Sequence, residues 1–257
     1  EIDTGYYSLN QFTSGFHRGE LTILAARPGM GKTAMMLNMV IRQIKNGTRV
    51  MIFSLEMSMK SLVERMVAML SGVDLQKIRR GSLNDEELDK VVRAFDFLNS
   101  IEDNLTIFDK SNITINEIKL EIRKHKVDVV YIDYLQLINS SSQYNNKNVE
   151  VGEVSRVAKV MARELDVAVV MLAQLSREVE RRTNKKPVLS DLRDSGEIEQ
   201  NADVVFFLYR SAYYSEIGQE IETEETELII AKHRNGPTGS IKLYFTKDTL
   251  EFIEYEE

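Results

Sequence analysis

The chain has 257 residues, enough for one large α/β domain with a well-buried core. Its hydrophobic fraction of 43% and charged fraction of 28% are ordinary, and no apolar run is long enough to cross a membrane. The lack of cysteine excludes disulfides and thiolate metal sites and fits a reducing, cytoplasmic setting, and three scattered histidines do not predict a zinc site. The net charge of −7 argues against a protein that coats nucleic acid with its whole surface, but leaves room for a local basic strip.

The first twenty residues contain three glycine turns and predict an irregular lead-in. The next stretch, LTILAARPGMGKT from Leu21 to Thr33, is an apolar strand that runs into a glycine-containing turn and then a helix. Gly29 and Gly31 allow the backbone to point several N–H groups at a phosphate, and the helix N-terminus adds partial positive charge. Lys32 is placed to reach the β- and γ-phosphates and the Thr33 hydroxyl to hold Mg²⁺, so this stretch predicts a phosphate-binding P-loop.

Ala26 stands where the generic P-loop pattern G-x-x-x-x-G-K-[ST] begins with glycine. The alternative interpretation is a strand-to-helix turn that carries Gly-Lys-Thr by chance. Because the strand, the loop and the helix are all in register around the match, we favour a nucleotide site. The predicted phosphate-binding segment consists of Ala26, Arg27, Pro28, Gly29, Met30, Gly31, Lys32, Thr33 and Ala34.

Strands and helices alternate along the rest of the chain. Apolar runs predict strands over 48–55, 105–108, 127–138, 167–174 and 202–210. Helical patterns lie over 58–70, 84–99, 114–124, 149–165 and around Ile198, with Ser58, Asn84 and Thr114 as predicted N-caps. Polar loops are expected over 140–148 and 175–192, and a C-terminal hairpin that turns at 235–237. The pattern predicts an α/β fold with a doubly wound, mainly parallel sheet and antiparallel strands at its C-terminal edge.

Three polar side chains lie at predicted strand ends. Asp133 ends an apolar strand downstream of the P-loop, which is the Walker B arrangement, and its carboxylate is expected to bind Mg²⁺ through water. Glu56 follows the strand after the P-loop helix and is placed to orient or deprotonate a water; a dipole-stabilising glutamate at a helix start is an equal alternative. Gln174 ends another strand, where it could contact the γ-phosphate.

The loop after Gln174 is basic in an acidic protein. Five basic side chains against two acidic ones give 177–186 a net charge of +3. The alternative is a solvated charged loop, but its position behind a predicted γ-phosphate contact favours a nucleic-acid surface, with Arg177 and Arg182 as candidate contacts. Arg193, Asp194 and Gly196 follow, and glycine there allows close approach of a phosphate backbone.

Six boxes in this order carry a family resemblance: ARPGMGKT, FSLEM, VVYIDYLQLI, AQLSREVE, SDLRDSGEIEQNADVVFFLYR and KHRNGPTG. They resemble the C-terminal motor domain of bacterial and phage replicative DNA helicases, the DnaB-like family with its RecA-like P-loop NTPase core. The lead-in resembles that family too, and alanine at the first P-loop position is common in it. The resemblance implies a single RecA-like ATPase domain over 1–257, without the family's N-terminal primase-interacting domain.

The resemblance also implies an activity: a ring-shaped homo-hexamer that uses ATP and Mg²⁺ to move along single-stranded DNA and unwind a replication fork. It makes Glu56 the catalytic base, Asp133 the Walker B acid and Gln174 the γ-phosphate sensor. Arg193, Asp194 and Gly196 match the family's DNA-holding loop.

Two further residues, Lys232 and Arg234, match those that the family presents to the ATP of a neighbouring subunit. Without the resemblance, both would be interpreted as basic residues on a solvated turn.

The loop after Asp133 departs from the family pattern, since Lys147 is its one charge over 140–148. A loader and a primase are candidate partners, and no membrane partner is expected. Two other functions share the core: a RecA-like recombinase, and a nucleotide-switched assembly module without nucleic acid.

Overall fold

The computed structural model describes residues 1–139, 145–215 and 223–255, without the side chains of 193–195. The strands are β1 (Leu21–Ala26), β2 (Val50–Ser54), β3 (Leu105–Phe108), β4 (Val129–Asp133), β5 (Ala168–Gln174), β6 (Val204–Tyr209), β7 (Thr223–His233), β8 (Gly239–Thr246) and β9 (Glu251–Glu254). The helices are α1 (Tyr7–Thr13), α2 (Lys32–Lys45), α3 (Met59–Ser71), α4 (Leu75–Arg80), α5 (Asp85–Ser100), α6 (Ile115–Lys124), α7 (Lys147–Leu165), α8 (Glu178–Arg181) and α9 (Gly196–Asn201). Short 3-10 turns lie at Glu102–Asn104, Leu135–Leu137, Leu189–Ser195 and Ser211–Tyr214.

In this part of the chain the strands form one sheet in the order β3-β2-β4-β5-β1-β6-β7-β8-β9. Pairing is parallel from β3 to β6 and antiparallel from β6 to β9. Apolar side chains of α2 pack on one face and those of α6 and α7 on the other, which leaves the central strands buried on both sides. The predicted doubly wound α/β fold with antiparallel C-terminal strands is confirmed.

The sheet has two edges that matter for function. The carboxyl edge is where the parallel strands end, at Ala26, Ser54, Asp133 and Gln174. The amino edge is where they begin, at Leu21, Val129 and Val204. Because β7 runs antiparallel to β6, with His233 opposite Val204, the end of β7 lies at the amino edge.

Local hydrogen bonds confirm three predicted helix starts. The side chain of Ser58 accepts the Ser61 N–H, and that of Asn84 accepts the Glu87 N–H. Thr114 and Glu117 form the predicted capping box at the start of α6. Caps of this kind stabilise a helix by about 1 kcal/mol each.

The lead-in is less irregular than predicted, because 1–20 contains the helix α1. The carboxylate of Glu254 accepts the backbone N–H groups of Tyr7 and Ser8, and the Tyr6 hydroxyl donates to the Phe252 carbonyl at 2.9 Å. The cap of this helix therefore comes from the far end of the chain. The structure also adds α4, capped by Asp74, and α8 within the predicted polar loop. No helix among the described residues is long and apolar enough to span a membrane.

Candidate active site

The loop between β1 and α2 has the backbone shape that a phosphate-binding loop requires. Gly29 and Gly31 have φ angles of 82° and 91°, in the left-handed region that favours glycine. A β-carbon at Gly29 would lie 3.0 Å from the ring of Tyr213, and one at Gly31 would lie 3.0 Å from the ring of Phe252. Glycine is needed at both positions, for the backbone angle and for space.

Thr33 and Asp133 meet at the carboxyl edge, where β4 ends beside the start of α2. The Thr33 hydroxyl donates to Oδ2 of Asp133 at 2.7 Å. Asp133 is fully buried, and its other oxygen, Oδ1, has no hydrogen-bond partner among the residues the structure describes. Burial raises the pKa of Asp133, and the positive charge of Lys32 opposes that rise. A partly buried hydroxyl and an unpaired carboxylate oxygen are the ligand chemistry that a hard cation such as Mg²⁺ takes.

Lys32 lies in the same buried region. Burial lowers the pKa of its ammonium group, while Asp133 and Glu56 raise it. Its Nζ lies 4.4 Å from the centroid of the Tyr134 ring, within range of a cation–π contact. The ammonium group of Lys32, in the P-loop, and the carboxylate of Asp133 beside it are therefore opposite charges that burial disfavours.

A cavity of about 540 Å³ opens over the P-loop. Most of the predicted phosphate-binding segment lines it, while Ala26 and Met30 are buried behind it. Glu56, Gln174 and Arg65 complete the rim from three other segments. The structure thus brings together Lys32, Thr33, Glu56, Asp133 and Gln174, which are scattered over more than a hundred residues of sequence.

Gln174 and Arg27 lie between this cavity and a second one of about 310 Å³. The Gln136 amide donates to the Gln174 carbonyl at 2.9 Å and accepts its N–H at 3.2 Å. The Nη1 atom of Arg27 donates to the Leu175 carbonyl at 2.6 Å. These contacts hold the end of β5 in place at the border of the two cavities.

The predicted DNA contacts fall in different environments. Arg177 is exposed and lines the second cavity, whereas Arg182 pairs with Asp191 at 2.8 Å within its own loop. Gly196 is exposed at the start of α9. The side chains of Arg193 and Asp194 lie outside the described part of the chain.

Lys232 and Arg234 are not brought to this chain's own P-loop. Both lie at the amino edge, where Lys232 Nζ donates to the Glu199 carbonyl at 2.5 Å and Arg234 pairs with Asp203 at 2.9 Å. The six-residue β1 separates that edge from the P-loop by roughly 17 Å.

Comparison with known proteins identifies the family. The model for the "DnaB-like helicase C terminal domain" family matches residues 1–254. The chain belongs to this family. It is similar to a DnaB-like replicative helicase whose structure was solved with a study of its interactions with primase: the TM-score is 0.93 at 38% identity, over 99% of this chain and 62% of that one. A solved ATPase domain gives a TM-score of 0.92 at 38% identity, over 99% and 91% of the two chains.

Curated relatives agree with the structural comparison. The replicative DNA helicase DnaB of Helicobacter pylori is 36% identical over all of this chain and 59% of its own length. DnaB of Geobacillus stearothermophilus is 42% identical, and the replicative helicase DnaC of Bacillus subtilis 43%, each over 99% of this chain and 57% of the relative. The chain therefore spans less than two-thirds of the length of these helicases.

Within this DnaB-like domain, the structure adds cavity residues that the sequence analysis missed. Arg210 donates to the Gly29 carbonyl at 2.8 Å and pairs with the buried Glu224 at 2.9 Å; Lys247 pairs with Glu224 at 2.6 Å. Arg210 directly follows β6, so the strand-end rule that selected Gln174 could have found it. Lys247 lies in the turn between β8 and β9 and carries no such signal.

Proposed function

We propose that this chain is the ATP-dependent motor of a replicative DNA helicase, which moves along single-stranded DNA as a homo-hexamer and unwinds the duplex at a fork. The observation that carries the proposal is the Thr33–Asp133 hydrogen bond beside a P-loop that lines a large cavity; the other Asp133 oxygen has no hydrogen-bond partner in the described part of the chain. Membership of the DnaB-like family supports the choice among P-loop ATPases. For the longer protein, we propose a cytoplasmic location and a loader and a primase as partners.

The lining of the cavity suits both parts of ATP, the phosphates and the base. Phosphates fit the P-loop backbone and Lys32, since the left-handed glycines turn N–H groups toward the cavity. The cavity lining also includes Phe245 and Leu250, whose apolar surfaces suit a nucleotide base. Thr33 and Asp133 would hold Mg²⁺. When bound, Mg²⁺ neutralises charge on the phosphates, and ATP supplies the phosphoryl group.

The proposed roles of the remaining carboxyl-edge residues follow from their positions. Glu56 is exposed on the cavity rim, where it would accept a proton from the attacking water. Gln174 lies where the nucleotide cavity borders the second cavity. It would contact the γ-phosphate and transmit its loss to the loop that begins at Leu175.

The amino-edge cations would act on a neighbouring subunit. Lys232 and Arg234 lie at the opposite edge from their own P-loop, so a head-to-tail ring is required to bring them to an ATP. A guanidinium delivered in this way typically contributes about 10³- to 10⁵-fold in rate. The residues proposed to hold the DNA backbone without sequence preference are Arg193, Asp194, Gly196, Arg177 and Arg182.

An ATPase assay with and without single-stranded DNA, read alongside unwinding of a forked duplex, tests the function. A helicase motor will show DNA-stimulated hydrolysis and ATP-dependent fork unwinding. A recombinase will pair homologous strands and leave the fork intact, and an assembly module will bind ATP with no response to DNA. Either of the last two results would contradict the proposal.

Mixed rings test the shared active site. Arg234→Ala is expected to lower kcat about 10³- to 10⁵-fold, and Glu56→Gln about 10²- to 10⁴-fold, while each subunit still binds ATP. After subunit exchange, a mixture of the two variants will regain ATPase activity, because some interfaces then join an intact Glu56 to an intact Arg234. A mixture that is no more active than either variant alone would remove Arg234 from a role in trans.

A further inference from the structure

The two amino-edge cations are bound to one structural unit of their own chain. The Arg234 guanidinium pairs with Asp203 Oδ1 at 2.9 Å and donates to the Gln200 carbonyl at 3.1 Å. Lys232 Nζ donates to the Glu199 carbonyl at 2.5 Å. These acceptors lie in the last turn of α9 and two residues beyond it. We call this group, Glu199 O, Gln200 O and the Asp203 carboxylate, the α9 anchor.

Asp203 is the buried centre of the α9 anchor. It is 3% exposed, whereas the Arg234 side chain that it holds is 46% exposed. Its Oδ2 accepts the Leu21 N–H at 2.8 Å and Lys159 Nζ at 2.6 Å, which leaves Oδ1 facing Arg234. The start of β1 and the helix α7 therefore fix the carboxylate, independently of Arg234.

Backbone contacts make the same region rigid. The Asp203 N–H donates to the Leu21 carbonyl at 2.8 Å, and the Asp203 carbonyl accepts the Arg234 N–H at 2.9 Å. Both ends of the Arg234 residue, backbone and guanidinium, are thus held by Asp203. A long arginine side chain that is free in solution samples many rotamers, and holding it in one geometry beforehand reduces the cost of reaching a neighbour's phosphate.

We propose that Asp203 is the positioning residue for Arg234: it presents the half-exposed guanidinium to the neighbouring subunit, and the last-turn carbonyls of α9 do the same for Lys232. The inference rests on the proposed role of Arg234 in trans. Asp203 does not contact the nucleotide of its own chain, because it lies at the amino edge. Its effect on hydrolysis should therefore pass through Arg234, the amino-edge cation that it pairs with directly.

The first test is Asp203→Asn, which removes the charge and keeps the shape. We expect kcat for DNA-stimulated hydrolysis to fall about 10- to 100-fold, the scale typical of a misplaced catalytic group. The dissociation constant for ATP should stay within about twofold, since the P-loop is untouched. In an Arg234→Ala background, the same substitution should cause no further loss of kcat. If Asp203 had a purely structural role, Asp203→Asn would lower kcat by the same factor in the wild-type and the Arg234→Ala backgrounds.

The matched control is Lys159→Gln, which removes the other charged partner of Asp203 and leaves the Arg234 pair intact. It should lower the midpoint temperature of thermal unfolding, as Asp203→Asn does, but keep kcat within about twofold, because the Leu21 N–H still holds the carboxylate. If Asp203→Asn folds poorly because Lys159 is left unpaired, the double variant Asp203→Asn/Lys159→Met removes both charges together. It should fold and show the same loss of kcat.

The outcomes separate the two proposals. If Arg234→Ala retains full turnover, the role in trans fails, and this inference fails with it. If Arg234→Ala is inactive but Asp203→Asn and the double variant keep wild-type kcat, Arg234 acts in trans without positioning by Asp203. A rise in kcat in Asp203→Asn would show that Asp203 restrains Arg234, which also overturns the proposal.

Discussion

The aspartates at the two edges of the parallel sheet differ in how many hydrogen-bond donors surround their carboxylates. At the carboxyl edge, the carboxylate of Asp133 accepts from one donor among the described residues, the Thr33 hydroxyl, and burial raises its pKa. At the amino edge, Asp203 accepts from a backbone N–H, a lysine and an arginine. Asp128, also at the amino edge, accepts from Arg49, whose hydrogen bonds hold its pKa at about 2.

The difference shows that an aspartate near a strand end is not by itself a ligand site. What separates the two kinds is how many donors the chain supplies. A buried carboxylate saturated by its own chain stabilises or positions a neighbour, whereas one with a bare buried oxygen remains costly until something else binds it. On this basis, we propose that ligands bind at the carboxyl edge and that the amino edge holds side chains for use by a neighbouring subunit.

The largest expected change in nucleotide affinity appears when one lysine from each edge is replaced. Lys32→Ala should reduce the affinity for Mg²⁺–ATP by more than about 100-fold, because it removes the charge that faces the phosphates. Lys232→Ala, the matched change at the amino edge, should keep the affinity of each subunit for its own ATP within a few-fold. Titration of a fluorescent ATP analogue measures both. Equal losses in the two variants would break the distinction between the edges.

Glu56→Gln sharpens the assignment at the carboxyl edge. ATP binding should persist while kcat falls about 10²- to 10⁴-fold, since a positioned general base is removed. Single-turnover hydrolysis measures the effect on chemistry directly. Glu64→Gln is the control, because Glu64 lies in the following helix α3 and pairs with Arg79. This variant should hydrolyse ATP normally. Near-normal turnover in Glu56→Gln would support its alternative role as a helix-start residue.

Arg193→Ala tests the DNA-binding role predicted at the start of α9. Affinity for single-stranded DNA should fall by about tenfold or less, equally for different sequences. The slope of log affinity against log salt should become shallower by about 0.7, because the variant neutralises one phosphate fewer. Lys90→Ala, a surface substitution on α5, is the control. An unchanged slope would indicate that the DNA-binding surface lies elsewhere, with 177–186 as the next candidate.

The smallest expected effect concerns stability at the amino edge. The pKa of Asp128 is about 2 in the folded chain, below its ordinary value of 3.8, mainly because Arg49 hydrogen-bonds the carboxylate. A lowered pKa stabilises the fold above about pH 4, and that contribution disappears as the pH falls toward 2. Solvent screening of this partly exposed group reduces the contribution to about 1 kcal/mol.

Urea unfolding at pH 5 and pH 2.5 measures that contribution. Wild type should lose roughly 0.7 kcal/mol more than Asp128→Asn across this interval, because Asp128 with a folded pKa of about 2 is not yet fully protonated at pH 2.5 and the variant has no carboxylate to protonate. Asp96→Asn, at an exposed position of α5, is the control and should follow wild type. Identical pH dependence in Asp128→Asn and wild type would contradict the assignment.

Features with short-range causes could be predicted from the sequence. The P-loop follows from Gly29, Gly31 and the strand-to-helix pattern around them. The starting points of the helices follow from capping side chains that bond a backbone N–H only three residues later. The parallel sheet follows from alternating strands and helices. Asp133 and Gln174 could be placed at its carboxyl edge for the same reason, because a parallel strand's end always faces that edge.

Features whose partners are far apart in sequence required the tertiary structure. Glu254 caps a helix that begins at Tyr7. Lys247 pairs with Glu224 and lines the cavity over the P-loop. No local pattern encodes these pairs, because packing of the whole chain selects which distant groups meet. The same holds for the bare oxygen of Asp133 and the saturated carboxylate of Asp203: the sequence alone determined that both are aspartates next to strands, and only the fold decided how many donors surround each.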